Sequence, residues 1–370
     1  MQAVPEDHRE DVVGMPDSIL PLLTLLRFSN SACQVDEADG FTASGTCYLP
    51  AECSSRGGLA RGSCALGFGV CCVYTLSCGG TTSQNGTFFV NPQYPATGTA
   101  ARTCVFTVQK ASTDVTQLRL DLLEFETAPP TDGNCNTEEF TVTGQNTNGP
   151  VPGICGQNSG QHMYVEVGDV SGPVQLRMVT SSGPTPHRWR VKVTQYARAS
   201  PARAPHHCLQ HYTGQMGQFE SFNFAAAGSA GEGYLNNLNY IICIRKEAGF
   251  CSITYGVDRF DRFSQPETFD IFNARTSVVG GVLVVSSNVP AGQAGIGPTQ
   301  CTDDYILLSA DRLCGDRLND GSFNSLLTEH ADVTDNTDGP FVIKVVTGPS
   351  IVGAGFRLFY RQNACRSGRE

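Results

Sequence analysis

The chain has 370 residues, a formal net charge of −10 and only 16% charged residues, against roughly a quarter in a typical soluble domain. With 40% hydrophobic residues it has enough apolar sequence for packed cores, which excludes a wholly disordered chain. The longest clean apolar run is about eight residues where a spanning helix needs roughly twenty, and no basic stripe is present to neutralise phosphates, so neither a membrane span nor a nucleic-acid partner is expected.

Residues 1–32 carry no cysteine. They begin acidic and continue as Ile19-Leu20-Pro21-Leu22-Leu23-Thr24-Leu25-Leu26. A run this apolar is expected to pack on the next module or on another chain, which makes residues 19–26 a candidate homo-oligomer contact. It lies too far in, after too acidic a start, for a secretory leader, so such a leader is expected either to have been removed or to precede residue 1.

Sixteen cysteines follow, six of them between Cys33 and Cys72. A segment this short has little core, and cysteines this dense indicate a disulfide scaffold and an oxidising, secreted environment. Zinc is the weaker reading, because no Cys-x-x-Cys pair occurs. Adjacent cysteines rarely bond to each other, so Cys71 and Cys72 are expected to reach different partners.

Residues 78–196 read as strands. Leu118, Leu120 and Leu122, then Val174, Leu176 and Met178, then Trp189, Val191 and Val193 alternate with polar positions, the period of a half-buried strand. Turn clusters such as Asn91-Pro92-Gln93-Tyr94-Pro95 and Ser182-Gly183-Pro184 separate them, and no helix is expected there. Asn85-Gly86-Thr87 makes Asn85 a candidate glycosylation site. Residues 197–207, with Pro201 and Pro205, read as a semi-rigid linker. Residues 208–365 again read as strands, at 240–244, 282–285, 341–346 and 356–360. Ile154-Cys155-Gly156 is echoed by Leu313-Cys314-Gly315, each after an upstream cysteine and an apolar strand, so two copies of one sandwich are expected.

The order Cys78-Gly79-Gly80, Asn91-Pro92-Gln93-Tyr94-Pro95, Cys104, Cys135 and Cys155-Gly156 resembles the CUB domain over most of 78–196. Cys208, Tyr234-Leu235-Asn236-Asn237, Cys243, Cys301 and Cys314-Gly315 keep the frame less closely: the proline of the turn is missing, and the interval from Cys251 to Cys301 is long. The 33–73 module, ending in Cys71-Cys72, resembles an arthropod clip domain, although its loops are short for one. The whole layout looks like the CUB-domain secretory proteins of insects and crustaceans. The resemblance implies an all-β chain: an N-terminal tail (1–32), a small clip-like disulfide module (33–73), and two CUB-type, jelly-roll-like β-sandwiches (78–196 and 208–365) joined by the 197–207 linker. It also implies the pairs Cys33–Cys71, Cys47–Cys64, Cys53–Cys72, Cys78–Cys104, Cys135–Cys155, Cys208–Cys243 and Cys301–Cys314, leaving Cys251 and Cys365 to pair together.

Many CUB domains hold calcium, a hard ion that wants several oxygen ligands. Glu126 and Glu138 in the first copy, and Asp304 in the second, stand at positions matching that pattern. Both sets are incomplete, since the late loops Thr180-Ser181-Ser182 and Val346-Thr347-Gly348 carry no acid. The competing expectation is that these acids cap turns or face solvent. His206, His207 and His211 offer a metal reading, against which they read as solvated linker histidines. No protease motif occurs: Gly156-Gln157-Asn158-Ser159-Gly160-Gln161-His162 lacks the expected oxyanion string, and no G-x-S-x-G, P-loop or H-E-x-x-H is present. The expected function is non-catalytic, extracellular protein–protein interaction. The alternatives are a self-assembling matrix or filament protein that uses residues 19–26, and a regulator of clip-type protease cascades.

Overall fold

In this computed structural model the described residues are 28–37, 40, 42–147, 149–224, 233–257, 268–279, 282–349 and 351–365. Residues 19–26, the expected oligomer contact, lie outside them.

The first module is a four-stranded sheet in the order Ala32–Asp36, Thr42–Tyr48, Gly69–Val73, Leu59–Cys64. One short helix, Pro50–Ser55, interrupts it; Pro50 suits a first turn, where its missing N–H is not needed. Cys33–Cys71, Cys47–Cys64 and Cys53–Cys72 bridge the module. Gly45 and Gly58 lie against these sulfurs and the Cys72 backbone, where a Cβ would collide.

The next unit is a sandwich of two sheets. One has the order Glu139–Thr143, Val174–Thr180, Arg102–Val108, Thr81–Thr82. The other runs His162–Glu166, Val115–Glu126, Arg188–Ala197, Thr87–Val90, Thr75–Leu76. The period-two residues face inward: Leu118, Leu120 and Leu122 meet Leu176, Met178 and Phe106 around Trp189. A bulge at Leu123 shifts the register, so both Leu122 and Phe125 are buried. Cys78–Cys104 and Cys135–Cys155 close this unit.

The second sandwich packs a six-stranded sheet on a five-stranded one. The six run Gln210–Tyr212, Asn239–Ile244, Phe341–Val346, Tyr305–Leu308, Asp311–Gly315, Ala294–Ile296. The other sheet runs Met216–Glu220, Gly355–Ala364, Phe250–Gly256, Val333–Asp335, with Phe269–Asp270 also on Gly355–Ala364. Ile242, Ile343, Ile306, Tyr255 and Leu358 fill its core. Cys208–Cys243, Cys251–Cys365 and Cys301–Cys314 bridge it. In the Cys-Gly echo, Gly156 and Gly315 both adopt left-handed backbone, at φ of +80° and +84°. One expected strand behaves differently: Val282–Ser287 pairs with Ala274–Val279 in a two-stranded ribbon and, among the described residues, joins neither sandwich sheet.

Candidate interaction surface

The acidic positions form two buried anchors. Glu138 is 2% exposed, and its carboxylate accepts hydrogen bonds from the N–H groups of Ala128 (2.8 Å) and Ser181 (2.9 Å), with His187 Nδ1 at 3.3 Å. It thereby ties the late loop of the first sandwich to the start of the loop after Glu126. Glu126 itself is half-buried at the end of Val115–Glu126. Asp304 is buried; its carboxylate accepts from Gly348 N–H at 2.6 Å and from the Tyr234 hydroxyl. Burial raises the Asp304 pKa, while those two donors oppose the rise. The fully buried Asn273 donates to the Asp304 carbonyl and accepts from the N–H groups of Thr302 and Asp303. These contacts are loop-organising. Among the described residues, no three His, Cys, Asp or Glu side chains converge as a metal-binding group.

Ser159 and His162 are not brought together as nucleophile and base. The Ser159 hydroxyl accepts from Phe125 N–H, whereas His162 Nε2 accepts from His211 N–H. His206 and His207 are exposed, and His211 is half-buried within Gln210–Tyr212.

The contacts between modules were not legible in the sequence. The first module docks on the outer face of the 188–197 sheet. There Ala43 and Val73 meet Phe88 and Val90, and buried Arg190 pairs with Glu37 at 2.6 Å while lying 4.7 Å over the Phe88 ring. The two sandwiches meet at a polar seam. Tyr164 N–H donates to Leu209 O (2.7 Å), Gln157 N–H to Asn223 Oδ1 (2.9 Å), Asn223 N–H to Asn158 Oδ1 (2.8 Å) and Asn236 Nδ2 to Asp132 O (2.7 Å). Gly156 is required here, because a Cβ would run into the Asn223 amide. Residues 197–207, expected as a spacer, are pinned: Gln117 accepts from Ala204 N–H at 2.8 Å and donates to its carbonyl at 3.2 Å.

This docking creates surfaces that neither sandwich has alone. One cleft at the seam, of about 220 Å³, contains Glu166, His207 and Lys344, and another, of about 250 Å³ between the first sandwich and the 197–207 segment, contains Asp169, Arg198 and Arg203. Both are smaller than the roughly 300 Å³ at which small-molecule pockets begin. A wider open groove of about 540 Å³ runs across the seam. The first sandwich supplies Arg119, Tyr164 and Tyr196, the pinned segment Pro201 and Arg203, and the second sandwich His211 and Arg245. Arg119 donates to the Tyr164 hydroxyl at 2.9 Å and to Asp121 at 2.7 Å, and Tyr164 stacks on Tyr196 at 6.3 Å. Burial raises the Tyr196 pKa and lowers that of His211. The sequence signal for this groove was the run of Arg and Tyr at the outward positions of the alternating strands, visible only once their faces are assigned.

Among the described residues no helix is long and apolar enough to cross a membrane. Residues 205–363 match the family model of the animal CUB domain, so the match falls on the sandwich whose sequence keeps the motif frame less closely. No curated protein matches the chain. Among solved structures, the CUB1-EGF-CUB2 domains of rat MASP-1 are similar at 12% identity, covering 78% of this chain and 100% of that one, with a TM-score of 0.24. The corresponding human MASP-1/3 domains align at 12% identity over 75% and 98%, with a TM-score of 0.25. The full extracellular region of zebrafish Gpr126/Adgrg6 aligns at 11% identity over 80% and 37%, with a TM-score of 0.26. Residues 205–363 are thus similar to the animal CUB domain, within an all-β, disulfide-rich architecture.

Proposed function

We propose that the chain is a secreted adaptor that binds an extracellular protein through the groove spanning both sandwiches. In this reading residues 78–196 are a first CUB domain, residues 33–73 are a clip-like module, Asn85 carries a glycan, and the layout is that of arthropod secretory CUB proteins. The eight cysteine pairs act as permanent braces suited to an oxidising compartment. Glu138 and Asp304 serve as loop anchors, Glu126 stands half-buried at a strand end, and a calorimetric titration with millimolar calcium is expected to give no heat of binding. A clear isotherm would restore the calcium reading.

The composite groove carries the proposal. Tyr and Arg are among the residues that dominate binding energy at protein interfaces, and here Arg119, Tyr164 and Tyr196 are held on strands of a rigid frame. The test is affinity capture from the native extracellular fluid with wild type and with Tyr196→Ala/Arg245→Ala. The variant is expected to lose its main partner, with affinity falling by about tenfold or more. Recovery of the same proteins in equal amounts by both baits would remove the groove from the account.

A further inference from the structure

We infer that the groove across the seam, taken as the binding surface proposed above, receives an acidic segment of the partner protein, with a carboxylate seated on Arg203. The chain has a net charge of −10, yet three arginines, Arg119, Arg203 and Arg245, line this one groove. Each comes from a different part of the fold: a strand of the first sandwich, the pinned segment and the second sandwich. Gln117 holds both backbone groups of Ala204 and so fixes its neighbour Arg203 at the groove wall.

Two of the three arginines already have carboxylates. Arg119 Nε donates to Asp121 at 2.7 Å, and Arg245 donates to Glu247 from Nε at 3.0 Å and from Nη2 at 2.9 Å. Half-buried Arg203 is different. Its Nη1 donates to the Arg198 carbonyl at 3.1 Å, and it pairs with no carboxylate among the described residues. Its Nε is buried and without a hydrogen-bond partner, so the charge is partly desolvated, and a carboxylate on the terminal nitrogens gains more there than in water. Burial, then the charges of Arg245 and Arg119, lower the pKa of His211, so both guanidinium groups act at the same place in the groove. With Arg203 unmatched, the groove keeps an excess of positive charge within an acidic chain, and that contrast steers an acidic partner to it.

The rest of the lining suits a peptide better than a sulfated glycan. Tyr164 and Tyr196 stack at 6.3 Å with 23° between their planes, and Pro201, Pro205 and Pro340 add apolar wall. A densely sulfated chain would press several anions against Asp121 and Glu247 as well as onto the arginines. A peptide can offer a single carboxylate to Arg203 and lay apolar side chains and backbone on the rings and prolines.

The test is a random-peptide display selection on the full chain, followed by fluorescence anisotropy of the recovered peptides with wild type, Arg203→Gln and Arg203→Lys, each checked for an unchanged melting temperature. The peptides are expected to be rich in Asp and Glu and to bind less tightly as salt rises. Their affinity is expected to fall by about tenfold or more in Arg203→Gln, and by less in Arg203→Lys, which keeps the charge. Neutral or basic peptides that need Tyr196 and Arg245 would overturn the acidic partner and leave the groove in place. Peptides untouched by Tyr196→Ala/Arg245→Ala would remove the groove itself. Acidic peptides that bind Arg203→Gln as tightly as wild type would overturn the role of Arg203. Recovery of no peptide would overturn the proposal, as would a heparin oligosaccharide that binds through Arg203 where peptides do not. Binding that appears only after removal of residues 1–27 would also overturn it, by making the chain's own acidic start the occupant.

Discussion

His162 sits at the seam between the sandwiches, 6% exposed, with its Nε2 accepting from the His211 amide and its ring 4.9 Å from that of Tyr212. Burial, reinforced by the charge of Arg119, pushes its pKa down to about 3. An unfolded chain takes up this proton near pH 6.5, and the folded one resists it until about pH 3. The unfolded state thus binds more protons across that window, and stability falls as pH drops through it, by roughly 1.4 kcal/mol per pH unit at most. Urea midpoints measured from pH 7 to pH 4 are expected to decline in the wild type and to decline less steeply in His162→Gln. Parallel declines would mean that another group carries the acid sensitivity. In the sequence His162 stands only in a segment, 156–162, that lacks a protease motif. Its true neighbour, His211, is far along the chain, and no local pattern encodes that pairing.

Strand identity was the most legible feature, because period two is written into each segment. Leu118, Leu120 and Leu122 read as inward-facing and are buried. The exception is Val282–Ser287, whose apolar run looks like a core strand but pairs outside both sheets. A short, wholly apolar run gives no information on which strand lies next to it. Cysteine connectivity was likewise not in the spacing and entered only through the resemblance. The disulfides differ in what they constrain. Cys251–Cys365 spans 114 residues and Cys301–Cys314 only 13. On chain-entropy grounds, replacing the first pair by serines is expected to cost about 5 kcal/mol and the second about 3 kcal/mol. Denaturant unfolding of the two variants checks the order, and the reverse order would show that native packing outweighs loop closure.

At the scale of the molecule, the union of the modules was not legible. Proline and small residues over 197–207 suggest a spacer, yet the seam is made by polar groups far apart in sequence. Asn223 adopts φ +52° there, a conformation that asparagine tolerates better than most residues. Asn223→Ala would leave Gln157 N–H and Gly233 O without their partners, at a cost of about 3 kcal/mol. Calorimetry is expected to show one cooperative transition covering both sandwiches in the wild type and two separated ones in Asn223→Ala. Two transitions already present in the wild type would mean that the seam does not couple them.

The grip of one glutamine on both polar groups of Ala204 has a further consequence for recognition. Two modules on a slack tether must each surrender their orientational freedom when a ligand bridges them. A pair already aligned has made that sacrifice during folding, so a single encounter engages both halves of the surface without a second ordering step.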